Sequence, residues 1–155
     1  MPLLRAALSW NFVLATAICA SLLAQLIKVL LNLFIFHRFI AERMWGAGGM
    51  PSSHSATVCA MVVATGRYCG VNSPLFAIAA VLSIIVMYDA MGVRYETGEQ
   101  AKVLNRMFTE WMDQGFEQFQ LPHGKKLKEM VGHTPLQVVA GVLGGAAVGF
   151  LYPLA

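Results

Sequence analysis

The chain has 155 residues, 57% of them hydrophobic and only 12% charged, with a net charge of +3 and a mean hydropathy of +0.63. So apolar a composition excludes an ordinary water-soluble domain, and no nucleic-acid partner is expected. An all-α integral membrane bundle is expected, as one domain over 1–155, because no repeat, low-complexity tract or long linker divides the chain.

A crossing needs about 20 apolar residues, and four segments qualify, at roughly 9–34, 56–70, 74–93 and 134–154. The first follows a basic Arg5 and is too long for the core of a signal peptide, so it is read as a retained span. Within it Ser21, Gln25, Lys28 and Asn32 follow steps of four, three and four, which place them on one narrow stripe of a helix. A stripe of this kind faces protein, and Lys28 is expected to point into a polar cavity; the alternative for a single lysine is to snorkel to the interface.

The loop after this span ends in GGMPSSHSA, from Gly48 to Ala56. Pro51 stiffens the turn, and Gly46, Gly48 and Gly49 allow close backbone approach. Ser52 or Ser53 can cap the following helix, whose N–H groups and hydroxyls then converge on one spot suited to an anion. His54 stands there, with an ordinary pKa of about 6.5, able to protonate a leaving oxygen. The second span, at 56–70, is short and carries Thr57, Thr65 and Gly66.

The third span ends in MYDAMGVRYETG. Asp89 is an intramembrane carboxylate close to the interface and a functional candidate by that fact, or else a structural ion-pair partner of Arg94 or Lys28. Residues five apart on a helix are about 140° apart in azimuth, so a direct Asp89–Arg94 pair requires the helix to end near Gly92. Residues 98–119 then read as an amphipathic helix. Glu99, Lys102, Arg106, Glu110, Asp113 and Glu117 fall on one side, and Leu104, Met107, Phe108, Trp111 and Phe119 on the other. Its apolar face is expected in the membrane interface or over the site, or against a neighbouring subunit.

The last span is preceded by GHTPLQV, Gly132 to Val138. Thr134 reads as N-cap, Pro135 as the first helical residue and Gln137 as the third, a capping box that leaves His133 just outside the helix end. Either histidine alone is explained as an interfacial residue satisfied by water and caps. Two capped helix starts, each with a histidine, point instead to one shared phosphate site with Lys28, Arg94 and Lys128 in range.

Four spans put both cassettes on one side. Arg38, Arg43, Arg94, Lys102, Arg106, Lys125, Lys126 and Lys128 lie on that side against Arg5 and Arg67 on the other, which makes the cassette face cytoplasmic by the positive-inside rule. A phosphate site would gather basic residues on its own account, so the same count has a second explanation. Cys19, Cys59 and Cys69 lack CxxC spacing and read as small packing residues. No HxxxH or DxD spacing occurs, so neither a metal nor another cofactor is expected.

PSSH resembles the PSGH motif of the type 2 phosphatidic acid phosphatase family, which shares its fold core with vanadium-dependent haloperoxidases. The set GGMPSSHSAT, MYDAMGVR, QAKVLN and LKEMVGHTPLQV closely resembles a divergent branch of that superfamily, over about Gln25 to Gly145. The resemblance implies that His54 is a general acid and His133 a nucleophile. It implies phosphate-binding roles for Lys28 and, near the position of the family's third-motif arginine, Lys128, which is one residue off the spacing. Gln137 stands where the family has an aspartate that orients the nucleophile; Asp89 is a candidate substitute for that carboxylate and Arg94 for the guanidinium. The expected catalytic set is therefore His133, His54 and Asp89, with Lys28, Ser52, Ser53, Arg94, Lys128, Thr134 and Gln137 binding substrate. The expected activity is metal-independent hydrolysis of a lipid-linked phosphate or pyrophosphate through a phosphohistidine. The alternative is a non-enzymatic membrane protein that binds an anionic lipid headgroup or phosphate, which Gln137 favours. Membrane lipids are expected partners, and four thin spans suggest a homo-oligomer.

Overall fold

A computed structural model gives the structure of the protein and describes residues 11–36, 49–114, 126–129 and 131–153. Arg5, Arg38, Arg43, Gly46, Gly48, Glu117, Phe119 and Lys125 lie outside the described residues. The described chain is all-helical: α1 Phe12–Phe36, α2 Ser53–Cys69, α3 Pro74–Met91, α4 Val93–Asp113 and α5 Pro135–Leu151. Among the described residues two stretches are long and apolar enough to cross a membrane, Phe12–Phe34 and one within Pro74–Asp113, while Pro135–Leu151 is a shorter apolar helix.

Bulky apolar side chains point outward and small ones inward, the reverse of a soluble domain. Leu22, Leu26, Ile78, Ile84, Leu143 and Phe150 are all exposed, whereas Ala20, Ala24, Ala56, Ala60 and Ala64 are buried. This distribution suits a hydrocarbon surround, where tails and leucines are equally apolar and helices associate through close backbone contact. On α5 the contact runs along Gly141, Gly145 and Gly149, all buried against α2. A methyl on Gly145 would lie 2.8 Å from the Ala56 Cα and closer still to its carbonyl oxygen.

The central helix is α2, which packs on α1, α3 and α5. That position explains its weak apolar signal: Ser53, Ser55 and Thr65 are buried by other helices rather than by lipid. At its far end Arg67 Nη1 donates to the carbonyl oxygens of Gly149 (2.6 Å) and Tyr152 (2.8 Å), satisfying groups that the end of α5 leaves open. Cys19, Cys59 and Cys69 are free thiols.

The expected boundaries shift by a few residues, with the amphipathic helix ending at Asp113 rather than 119, and the two that meet at Gly92 have an evident cause. The third apolar helix stops at Met91 rather than 93, and the amphipathic helix starts at Val93 rather than 98. The cause is Gly92, whose N–H closes α3 on the Tyr88 carbonyl at 2.8 Å while its own carbonyl accepts the first α4 bond from Glu96 at 2.9 Å.

Candidate functional site

Three helix ends meet at the cassette end of the bundle, held by backbone hydrogen bonds between segments distant in sequence. The Ser52 N–H donates to the Gln137 carbonyl at 3.0 Å, fastening the start of α2 to the start of α5. The His133 N–H donates to the Ala90 carbonyl at 3.0 Å, fastening the second cassette to the end of α3. Gly132 lies directly on the Tyr95 backbone, where an added Cβ would come within 2.7 Å of the Arg94 carbonyl carbon. The chain can reach that position only with glycine.

Between these ends lies a small pocket lined by His54, Val86, Asp89, Ala90, Arg94, Val131 and His133. The two histidine rings stand edge to face with centroids 6.1 Å apart. His54 projects from the first turn of α2 and is exposed, whereas His133 is 2% exposed. The His133 Nδ1 meets Gln137 Oε1 at 3.1 Å, and its Nε2 is buried without a hydrogen-bond partner among the described residues. Burial holds the His133 pKa below its ordinary value; the Gln137 bond works the other way, and the charges of Lys28, His54 and Arg94 reinforce the depression. With Gln137 Oε1 as acceptor, the neutral ring carries its proton on Nδ1 and leaves the Nε2 lone pair free.

Gln137 has two candidate tasks, the capping box of α5 and the ring of His133. It serves both: Oε1 also accepts the Thr134 N–H at 3.3 Å, using the two lone pairs of a carbonyl oxygen. No hydrogen bond joins Asp89 to His133 among the described residues. The Asp89 carboxylate is instead paired with Arg94 Nε, across the helix break at Gly92 that such a pair requires.

Lys28 is 2% exposed, and its stem runs along Gly49, where an added Cβ would meet Cδ at 3.4 Å. It therefore lies inside the bundle against the first cassette, and the snorkelling alternative is overturned. Along the same stripe Gln25 Oε1 is buried without a partner among the described residues, and Asn32 Nδ2 donates back to the Lys28 carbonyl at 3.0 Å.

Ser52 is the N-cap of α2. Its Oγ accepts the Ser55 N–H at 3.3 Å and the Ser55 hydroxyl at 3.0 Å, so this buried hydroxyl shapes the helix start from beneath. Ser53 is buried, Thr134 and Lys128 are exposed, and none of the three lines the pocket.

A residue not singled out in the sequence also shapes the site. Asn105 is buried on α4; its Nδ2 donates to the Leu127 carbonyl (2.9 Å) and Glu129 Oε1 (2.8 Å), and its Oδ1 accepts the Leu127 N–H at 2.8 Å. It anchors the strand of chain that leads into Val131 and His133. The available signal is a small or polar stripe of Gly98, Ala101 and Asn105, all buried, on a helix otherwise patterned for an interface.

The model of the divergent PAP2 family matches residues 9–148. The uncharacterized membrane protein YuiD of Bacillus subtilis (strain 168) is 38% identical over 141 residues, which cover 87% of this chain and 89% of that protein. No solved structure matches the chain. With the cassettes that first suggested it now on one pocket, and a family match over nearly the whole length, the chain belongs to the divergent PAP2 family.

Proposed function

We propose that the protein is a membrane-embedded, metal-independent hydrolase of a lipid-linked phosphate or pyrophosphate. The observation that carries this reading is the His133 ring, buried, held through Nδ1 by Gln137 and, among the described residues, unpartnered at Nε2 beside His54. A buried lone pair with no partner is costly unless something is meant to meet it. In the reaction Nε2 attacks phosphorus, the bond from phosphorus to the leaving oxygen breaks, and protonated His54 gives that oxygen its proton. Water then attacks the phosphoryl group with its proton passing to His54, the P–N bond breaks, and phosphate leaves. Lys28, Arg94 and the N–H groups at the start of α2 offset the charge developing on the phosphoryl oxygens, the part a metal would otherwise play.

In this account α1, α2, α3 and α5 cross the bilayer, α4 lies at the interface, and the site opens on the cytoplasmic face with Lys128 drawing anionic lipid toward it. The test is phosphate release from a panel of lipid phosphates by the purified protein in detergent. Release that persists in chelator and stops with vanadate is expected. Tight phosphate binding without release would instead support the anion-binding reading, which the neutral Gln137 favours because it cannot stabilise an imidazolium as a carboxylate would.

Gln137 gives a finer test. Gln137→Ala removes both a cap and the partner of Nδ1, so a loss of about 1 kcal/mol in stability and, for one hydrogen bond to the reacting ring, of about tenfold in turnover is expected together. Gln137→Glu places a carboxylate beside His133 and favours the imidazolium, so the acid limb of kcat/KM moves to higher pH. In the unaltered protein that limb lies below the ordinary histidine value of about 6.5, because His133 stays neutral further into acid. A pH profile with its acid limb above that value would contradict the assignment.

A further inference from the structure

Asp89 and Arg94 are brought together at the cost of a helix. On an uninterrupted helix they would stand about 140° apart, and the break at Gly92 turns Arg94 back over Asp89. Their side chains are 36% and 47% exposed. An ion pair that open to water adds little or nothing to stability, so stability does not account for it. Both residues line the pocket with the two histidines. A carboxylate at the wall of an anion site is unfavourable to the anion unless it does something else there.

Its contact indicates what. Asp89 Oδ2 engages Arg94 through Nε, on the side edge of the guanidinium. A guanidinium has five N–H donors in a rigid plane, and fixing the Nε edge fixes the direction of the terminal Nη edge, the fork that takes two oxygens of a phosphate. We infer that Asp89 is the positioning residue for Arg94, holding its Nη fork toward a phosphate in the pocket, rather than the carboxylate that orients His133. Gln137 already occupies Nδ1 of His133, so the two orienting tasks fall to different residues. The inference rests on the phosphate-site reading above.

Electrostatics and positioning give opposite signs, which makes the inference testable. Removing a negative charge beside an anion site strengthens anion binding if charge is all that matters, whereas removing the acceptor that fixes Arg94 weakens it. The experiment is orthovanadate binding by the full chain in detergent, measured calorimetrically for the unaltered protein, Asp89→Ala, Asp89→Asn, Arg94→Ala and the Asp89→Ala/Arg94→Ala pair. Thermal melts report folding. Asp89→Ala is expected to weaken binding about 3- to 10-fold, and Asp89→Asn, which keeps an acceptor for Nε and loses the charge, to bind at least as tightly as the unaltered protein. In the Arg94→Ala background, Asp89→Ala is expected to cause no further weakening, because the residue it positions is gone. Binding left unchanged or tightened by Asp89→Ala overturns the inference alone, as does equal weakening in both backgrounds. Absence of vanadate binding by the unaltered protein overturns the phosphate-site reading and this inference with it. Should Asp89→Ala fail to fold, weakened binding in a folded Asp89→Asn is the contradicting result.

Discussion

His133→Ala is expected to reduce turnover of a lipid phosphate by about a thousandfold or more, because it removes the atom that forms the covalent bond rather than one that assists it. The His133 backbone N–H is bonded to the Ala90 carbonyl whatever the side chain, so the cassette stays tied to α3 and the protein stays folded. His54→Ala should be less severe, about 10²- to 10⁴-fold, since it removes a proton donor that a good leaving group does not need. Raising the acidity of the leaving group should therefore rescue His54→Ala and leave His133→Ala inactive. The readout is phosphate release from an alkyl and an aryl phosphate; retained activity in His133→Ala removes the proposed nucleophile.

The largest effect on folding is expected at Gly145. Its neighbours across the contact are the carbonyl oxygen and Cα of Ala56, backbone atoms of the central helix with no flexible end to move aside. Gly145→Leu must push α5 away from α2 and with it the Ser52 to Gln137 bond that joins the two helix starts. A loss of about 3 kcal/mol or more is expected, seen as a large fall in melting temperature in detergent. Gly144→Leu is the control: an added Cβ there meets nothing within 4 Å, and the position faces outward. Equal melting temperatures for the two variants would contradict this packing.

What the sequence revealed follows from how local each signal is. Both cassettes are helix starts, and a cap, a proline and a histidine within a few residues carry their own geometry; that they lie at one end of the bundle follows from the two helices, α2 and α3, that run out and back between them. Lys28 was legible because three polar neighbours share its stripe, and the Asp89–Arg94 pair because only a break at Gly92 permits it. The central place of α2 was not legible. Its serines and threonines lower its hydropathy for the reason that other helices, not lipid, surround it. Nor could spacing reveal that Gln137 holds two donors on one oxygen, which depends on the curve of the chain between His133 and Thr134. Asn105 reaches across 22 residues of sequence to Leu127, a distance over which no helical periodicity carries information.

The most direct test of the histidine mechanism is to trap its intermediate. The purified protein is incubated in chelator with a lipid phosphate labelled in the phosphoryl group, quenched in alkali, digested and mapped. A phosphoramidate, stable to alkali and labile to acid, is expected on the peptide that contains His133, and it is expected to disappear in His133→Ala. Turnover with no label on the protein, or label carried by another residue, would contradict the account.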